Sequence, residues 1–259
     1  MSCLYSGTFK GKHAVIIGGS SGLGLEIARG FLTHGAHVCI SGRSVSRLKK
    51  ALSVLRKEGL SELISCPVDV TSYDSVRRCV GFVLKQFHSV DILVCTAGTY
   101  LKSPALEMTP GQWRTVLETN LTGTYYSNIL FGKKMLEQRK GCIINTASLG
   151  SRVALSNTTA YDVSKSGVEM LTKCLAVEWA PYQVRVNALL PGVFKTNLNE
   201  KALRDRNRAE NILHHTPLKR FGRLPEIVSA ALFLASDSSS FVTGTSVIVD
   251  GGFLAYAGF

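Results

Sequence analysis

The sequence predicts an α/β protein built on one doubly wound, parallel sheet of seven strands with helices on both faces. Short apolar runs alternate with longer helix-like stretches along the chain, and this alternation is typical of right-handed β–α–β crossovers. The mean hydropathy of +0.15 suits a parallel sheet that helices cover on both sides. Because no repeat, low-complexity tract or linker interrupts the sequence, we expect a single domain over residues 1–259.

Each predicted strand is a short apolar run, and each predicted helix is a longer stretch of mixed polarity. In chain order, the expected strands are approximately residues 13–17, 36–41, 64–68, 91–95, 142–147, 184–190 and 245–249. The expected helices lie between them, at approximately residues 23–33, 45–57, 73–87, 112–138 and 159–180. The polar strip 198–213 is helix-prone, and Pro225 is a typical first residue for one more helix.

The chain is strongly basic, with a formal net charge of +12. Eight Lys or Arg residues lie between Lys195 and Arg223. No RNA-binding aromatic motif or zinc-finger pattern accompanies them, so we expect no nucleic-acid partner. An anionic cofactor or substrate is the simpler explanation of the charge, although part of it is expected to be solvated surface.

No apolar run reaches the roughly 18 residues of a membrane-spanning helix, and Met1 to Lys12 lack the apolar core of a signal peptide. We therefore expect a cytoplasmic protein without a membrane partner. No two of the seven cysteines have CxxC spacing, so we expect neither a metal site nor a disulfide framework. Cys39, Cys95 and Cys142 lie in apolar runs and are predicted to be small buried hydrophobes.

A glycine-rich turn separates the first strand from the first helix. It reads Gly18-Gly-Ser-Ser-Gly22-Leu-Gly24. Glycines allow a tight turn and a close approach to a pyrophosphate, which the N–H groups at the start of the helix then bind. Glycine clusters also occur in plain loops, but the position between strand and helix favours dinucleotide binding. The predicted contacts are Gly18, Ser20, Ser21, Gly22, Leu23 and Gly24.

The end of the second strand predicts which dinucleotide is bound. A carboxylate about 20 residues past the turn would bind the adenosine ribose of NAD, but Arg43 and Ser44 follow the strand instead. A guanidinium can pair with a 2′-phosphate through two charge-assisted hydrogen bonds. We therefore expect NADP(H) rather than NAD(H). Alternatively, Arg43 is a solvated surface residue or stacks on adenine.

Tyr161 and Lys165 are the candidate reacting pair. They are four residues apart in a helix-like stretch, so their side chains share one face. A neighbouring ammonium is expected to lower the pKa of the phenol and make it a usable general acid or base. Ser148, at the end of the fifth strand, is placed to bind a substrate oxygen. The pair alone could be ordinary helix surface, but together with Ser148 and the glycine turn it indicates catalysis.

These residues resemble those of the short-chain dehydrogenase/reductase family, and the similarity runs from end to end. The serine precedes the tyrosine by the family's usual 13 residues. The other matching positions are Gly18, Gly22, Gly24, Asp69, Ala97, Gly98, Asn120, Asn187, Pro191, Gly192 and Thr196.

The resemblance implies an oxidoreductase that interconverts a carbonyl and a secondary alcohol and assembles as a homotetramer, with NADP(H) as the cofactor expected from Arg43. Tyr161 would be the acid or base, Ser148 would orient the carbonyl, and Lys165 would lower the tyrosine pKa and bind the nicotinamide ribose. Asn120 would hold a water of a proton relay. The remaining cofactor contacts it implies are Asp69 and Val70 at the adenine, Ala97 and Gly98, and Pro191, Gly192, Val193 and Thr196 around the nicotinamide.

Three residues depart from the family pattern. Ile17 replaces the threonine that usually precedes the first glycine, and Cys95 and Thr96 replace the two asparagines before Ala97-Gly98. In the family those amides support the sheet and the adenosine side of the cofactor.

The resemblance also implies that a segment at about residues 193–223 closes over the substrate. This segment carries Phe194, Asn197, Asn199, the basic cluster and His214-His215, a histidine pair that we interpret as surface. Arg152 could bind an anionic group of the substrate or be exposed to solvent.

The Pro191–Thr196 stretch and the closing Val249–Ala255 resemble sugar-acid dehydrogenases such as gluconate 5-dehydrogenase, and also 3-oxoacyl-carrier-protein reductases. The first favours a sugar acid or keto-acid as substrate, and the second a carrier-protein or CoA thioester. A different class of hypothesis is a catalytically silent member that binds cofactor as a sensor or scaffold, which would lack part of the Ser-Tyr-Lys set.

Overall fold

The computed structural model describes residues 8–196 and 199–256, and seven parallel strands form its sheet. The strands are β1 His13–Ile17, β2 His37–Gly42, β3 Leu63–Pro67, β4 Ile92–Cys95, β5 Gly141–Thr146, β6 Val184–Pro191 and β7 Ser246–Val249. Their order is β3-β2-β1-β4-β5-β6-β7, and every neighbouring pair is parallel. The predicted doubly wound fold is confirmed.

Helices cover both faces of the sheet. They are α1 Gly22–Thr33, α2 Val45–Lys57, α3 Tyr73–Phe87, α4 Pro110–Leu117, α5 Gly123–Gln138, α6 Thr159–Trp179, α7 Glu200–Leu203, α8 Arg206–His215 and α9 Leu224–Ala235. Alternate residues of β1 point to opposite faces. Ile16 packs with Phe31 of α1 in one apolar cluster, whereas Ile17 packs with Phe131 of α5 in the other.

The stretch predicted as one helix at 112–138 contains a π-helical turn, Glu118–Thr122, between α4 and α5. Such turns are frequent at functional sites, and this one carries Asn120. The strip predicted at 198–213 forms two short helices, α7 and α8. The second begins where the Asp205 side chain accepts a hydrogen bond from the Arg208 amide at 3.2 Å, a typical N-cap.

The strand order creates a crevice beside β1. The chain leaves β1 towards β2 on one side, while β4 pairs with β1 on the other. The loops after β1 and β4 therefore diverge, and ligands of open α/β sheets bind at such a switch point, outside the carboxyl ends of the strands. Within the described ranges, no helix is long and apolar enough to cross a membrane.

Candidate active site

The glycine turn packs closely against the loop that follows β4. Gly18 has a φ of +88°, which favours glycine, and its amide donates to the Ser41 carbonyl at 2.8 Å. A Cβ at Gly18 would lie 2.5 Å from the Ala97 nitrogen, and one at Gly24 would collide with the Gly18 carbonyl. No side chain caps the start of α1, so its first amides can bind an anion.

A cleft of about 350 Å³ opens at this turn. Of the predicted cofactor residues, it is lined by Gly18, Ser20, Ser21, Gly22, Leu23, Gly24, Arg43, Ser44, Val70, Ala97, Gly98 and Thr196. Asp69 instead lines an adjoining cavity, which Arg43 also lines. Its Oδ1 accepts hydrogen bonds from the amide and hydroxyl of Thr71, at 3.1 and 2.8 Å.

The residues that depart from the family pattern have structural roles. The Thr96 hydroxyl donates to the Ile17 carbonyl at 2.9 Å, beside the glycine turn. Ile17 itself is buried in the core. Cys95 is buried, and its sulfur accepts a hydrogen bond from the Asn128 amide at 3.5 Å. Asn128 and Asn145 also exchange amide hydrogen bonds of 2.9 and 3.0 Å. Hydrogen bonds therefore still join these strands and helices without the two usual amides.

Two arginines line the far end of the cleft. Arg43 is exposed at the end of β2, and Arg47 lies in the first turn of α2. Neither forms an ion pair with a carboxylate of residues 8–196 or 199–256. The Ser44 hydroxyl accepts from the Arg47 amide at 3.3 Å and so caps α2. This end of the cleft is positively charged and suited to a phosphate.

Ser148 and Tyr161 line a second, smaller pocket of about 100 Å³. Three residues predicted to border the nicotinamide line this pocket and not the cleft: Pro191, Gly192 and Val193. Thr196 lies in the cleft, and its hydroxyl and amide donate to Asn199, which lines the pocket. The contact between Thr196 and Asn199 thus joins the two sites.

Lys165 lies between the pocket and the loop that follows β4. It is buried, and its Nζ donates to the Thr146 carbonyl at 2.6 Å and lies 5.9 Å from the centre of the Tyr161 ring. A Cβ on Gly98, which lines the cleft, would lie 3.8 Å from the same nitrogen. One ammonium therefore faces both the phenol and the cofactor cleft.

The expectation that Lys165 lowers the pKa of Tyr161 is wrong, because the pKa is raised and Lys165 is not among the groups that shift it. Burial, together with the nearby Tyr100 and Asp162, raises the pKa of Tyr161 to about 12, against a hydrogen bond with Ser148 that lowers it. Burial also lowers the pKa of Lys165 to about 8. Loss of water disfavours the charged form of both groups.

The low pKa of Lys165 predicts that Lys165→Met stabilises the protein. Below pH 8 folding must desolvate a protonated ammonium, a cost that methionine avoids. After the lost hydrogen bond is subtracted, we expect a gain on the order of 2 kcal/mol at pH 7. Between pH 8 and 10.5 the unfolded chain binds more protons than the folded one, so wild-type stability rises with pH and the gain shrinks.

Denaturant unfolding at pH 7 and pH 10 would measure this gain. Lys173→Met, which removes an exposed lysine of the same helix, should change stability little at either pH. A Lys165→Met protein less stable than wild type at both pH values would contradict the assigned burial cost.

Asn120 connects the β4 loop to the helix that carries Tyr161. Its Oδ1 accepts from the Thr99 amide at 2.7 Å, and its Nδ2 donates to the Thr99 carbonyl and to the Ser164 hydroxyl at 2.9 and 3.0 Å. Ser164 in turn donates to the Tyr161 carbonyl at 2.6 Å. These bonds fix the approach of the two segments, while the predicted proton relay stays a prediction.

Other candidates lie away from the pocket. Arg152 pairs with Glu169, with Nε at 3.0 Å from its Oε2, so its charge is already neutralised. His214 and His215 are exposed, as interpreted from the sequence. Cys39, Cys95 and Cys142 are buried free thiols, which confirms their prediction. Asn197 lies outside the described residues.

Three residues that sequence reasoning missed line the two sites: Arg47 in the cleft, and Tyr100 and Arg208 in the pocket. Arg47 had a local signal, because it follows a serine N-cap by three residues. Tyr100 had a weaker local signal, because it comes two residues after Gly98. Nothing in the local sequence distinguishes Arg208 from the other basic residues around it.

Many known proteins resemble this chain in sequence and in fold. A family profile described as enoyl-(acyl carrier protein) reductase, of the short-chain dehydrogenase/reductase type, matches residues 18–254. Gluconate 5-dehydrogenase of Gluconobacter oxydans is 32% identical over 95% of either chain. A 3-oxoacyl-(acyl-carrier-protein) reductase of Chlamydia pneumoniae is 37% identical over 95% of this chain and 98% of its own.

Solved structures agree with the sequence comparisons. The crystal structure of a gluconate 5-dehydrogenase from Burkholderia cenocepacia, in complex with NADP and tartrate, superposes with a TM-score of 0.93. The two proteins are 31% identical, and the superposition covers 98% of this chain and all of that one. The chain belongs to the short-chain dehydrogenase/reductase family, a family of NAD(P)-dependent oxidoreductases.

Proposed function

We propose that the protein is an NADP(H)-dependent oxidoreductase that interconverts a carbonyl and a secondary alcohol of a sugar acid or keto-acid. The observation that carries this proposal is the convergence of Ser148, Tyr161 and Lys165 where the small pocket meets the glycine-rich cleft. A substrate carbonyl in the pocket would lie beside Tyr161, whose phenol can donate a proton.

The cleft fits a dinucleotide. Side chains at Gly18 and Gly24 would fill the place where the backbone turns, and the uncapped start of α1 offers amides for a pyrophosphate. Arg43, Arg47 and Ser20 would hold the adenosine side, and Lys165 and Thr196 the nicotinamide side. When bound, the nicotinamide supplies the hydride or accepts it.

Tyr161 acts as the proton donor in the reductive direction. With a pKa of about 12 its phenol is protonated at neutral pH, as a general acid must be. Ser148 orients the carbonyl oxygen by a hydrogen bond, and Lys165 stabilises the phenolate left after proton transfer. Asn120 acts as a positioning residue through Thr99 and Ser164, and as a ligand for a relay water.

NADP(H) is favoured over NAD(H) by two arginines at the adenosine end and by the absence of a carboxylate after β2 among the described residues. The NADP complex of a relative agrees with this choice. The choice needs its own measurement, because one relative of similar identity is named an NAD-dependent dehydrogenase.

A sugar acid or keto-acid is the substrate class we favour. Several relatives are named for gluconate or its keto derivatives, and one holds tartrate, a hydroxy acid. The pocket is small and contains an arginine. A carrier-protein thioester is the second candidate, which the basic surface and the Chlamydia pneumoniae relative support.

Closure of residues 193–223 over the substrate and assembly as a homotetramer stay predictions. The first is consistent with Val193, Asn199, Leu203, Arg208 and Ile212, which all line the pocket.

A spectrophotometric screen tests the function. NADPH and NADH oxidation would be followed with keto-acids, ketoses, 3-oxoacyl thioesters and steroids. We expect turnover with NADPH and short oxo acids. Turnover confined to thioesters would favour the second candidate, and cofactor binding without any turnover would favour a silent sensor or scaffold.

A further inference from the structure

An arginine brings positive charge into the pocket that holds Ser148 and Tyr161. Arg208, in the first turn of α8, lines this pocket. Its Nη2 donates to the Tyr100 hydroxyl at 2.6 Å. The Tyr100 ring meets the Tyr161 ring edge to face, with 5.1 Å between centres. The Tyr100 side chain therefore lies between the guanidinium and the candidate proton donor, Tyr161, and contacts both.

The charge of Arg208 is not balanced by a carboxylate, unlike the charges of Arg204, Arg220 and Arg223 in the same segment. In the same segment, Arg204 pairs with Glu200 at 2.9 Å, and Arg220 and Arg223 pair with Glu226 at 2.7 and 2.8 Å. Arg208 forms no ion pair with a carboxylate of residues 8–196 or 199–256. A partly buried cation without a counter-charge is costly, and an anionic ligand would remove that cost.

Two carboxylates lie near these groups, and both have other partners. Asp205 caps α8 by accepting from the Arg208 amide. Asp162, which raises the pKa of both tyrosines, accepts through Oδ2 from the Leu155 amide and the Thr158 hydroxyl at 3.0 and 2.8 Å, while its buried Oδ1 has no hydrogen-bond partner among the described residues. The side chain of Arg208 is thus left to face the pocket and Tyr100.

We propose that Arg208, oriented by Tyr100, binds a carboxylate of the substrate, so that the natural substrate is a small oxo acid or hydroxy acid. Tyr100 accepts from one of the five N–H donors of the guanidinium. Four donors remain, so two of them can bind a carboxylate side by side. The apolar lining by Leu149, Leu155, Leu203 and Ile212 lowers the local dielectric and strengthens that pairing. Carboxylate binding by Arg208 can be tested by itself, whereas the conversion of the bound acid rests on the proposed function.

Calorimetry tests the binding step without turnover. Protein saturated with reduced cofactor would be titrated with D-gluconate and D-glucitol, and with L-malate and its neutral diamide. We expect at least one acid to bind wild type roughly 30-fold more tightly than its neutral counterpart. Arg208→Met should lose this preference and Arg208→Lys should keep part of it. Arg204→Met, outside the pocket, should keep all of it.

Tyr100→Phe removes only the acceptor that orients Arg208. We expect it to lower the acid-over-neutral preference several-fold, less than Arg208→Met does. A role of Arg208 as a simple latch for α8 would weaken acid and neutral ligands alike. Equal preference in wild type and Arg208→Met, or none in wild type, would overturn the assignment.

The kinetic version separates the two proposals. The ratio of kcat/KM for an oxo acid to that for a neutral ketone should fall roughly 30-fold in Arg208→Met. Reduction of carbonyls without any preference for acids would leave the proposed carbonyl reduction standing and overturn both the carboxylate site and the favoured substrate class. Conversely, an Arg208-dependent preference for acids in binding, with no turnover of any carbonyl, would support the site and refute the function.

Discussion

Replacing Tyr161 by phenylalanine is expected to lower kcat for carbonyl reduction by about 10³-fold, within the range that loss of a general acid produces. The substitution removes only the phenolic oxygen, so the ring can still pack against Tyr100 and beside Lys165. Affinity for NADPH, measured by fluorescence, should stay within a few-fold of wild type, because the glycine turn and both arginines of the cleft are untouched.

Tyr73→Phe is the matched control, since Tyr73 is partly exposed and contacts Tyr126 instead of the pocket. It should leave kcat unchanged. Retention of most activity by Tyr161→Phe would refute proton donation by this residue, and loss of NADPH binding would show that the substitution disturbs the cleft.

Arg43→Asp is expected to shift the ratio of kcat/KM for NADPH to that for NADH by roughly 100-fold towards NADH, through loss of a charge-assisted pair with the 2′-phosphate. The new carboxylate also repels that phosphate and can accept hydrogen bonds from the ribose hydroxyls of NAD. Arg47→Ala should produce a smaller shift in the same direction, since the charge at Arg43 remains.

Lys50→Asp makes the same change of charge at an exposed position of α2 that does not line the cleft. It should leave the cofactor ratio unchanged, which separates a contact with the phosphate from a general field effect. An unchanged ratio in both Arg43→Asp and Arg47→Ala would show that neither arginine recognises the 2′-phosphate.

The fold could be predicted because its signals are local. A strand buried on both faces is a short apolar run, and a helix that covers it repeats its apolar residues every three or four positions. The regular alternation of the two then restricts the topology to right-handed crossovers. The π turn at Glu118–Thr122 escaped prediction because hydrogen bonds between Asn120 and the distant Thr99 accompany it, and periodicity does not report such contacts.

Most of the candidate site could also be predicted from local sequence patterns. The glycine turn, the spacing of Ser148 to Tyr161, and the helical pair Tyr161 and Lys165 are patterns within short segments. Their pKa values were not predictable, because burial dominates them and burial depends on the whole fold.

The sequence by itself determined the fold class, the cofactor turn and the identity of the candidate reacting residues. Only the tertiary structure decided which arginine faces the pocket. Glu169 neutralises Arg152 from 17 residues away, while Arg208 meets Tyr100 across 108 residues of chain. The physical reason is that the energy with which a charged side chain attracts a ligand depends on the charges near it in space and on the exclusion of water. The order of the strands in the sheet, and not the spacing of residues along the chain, sets both.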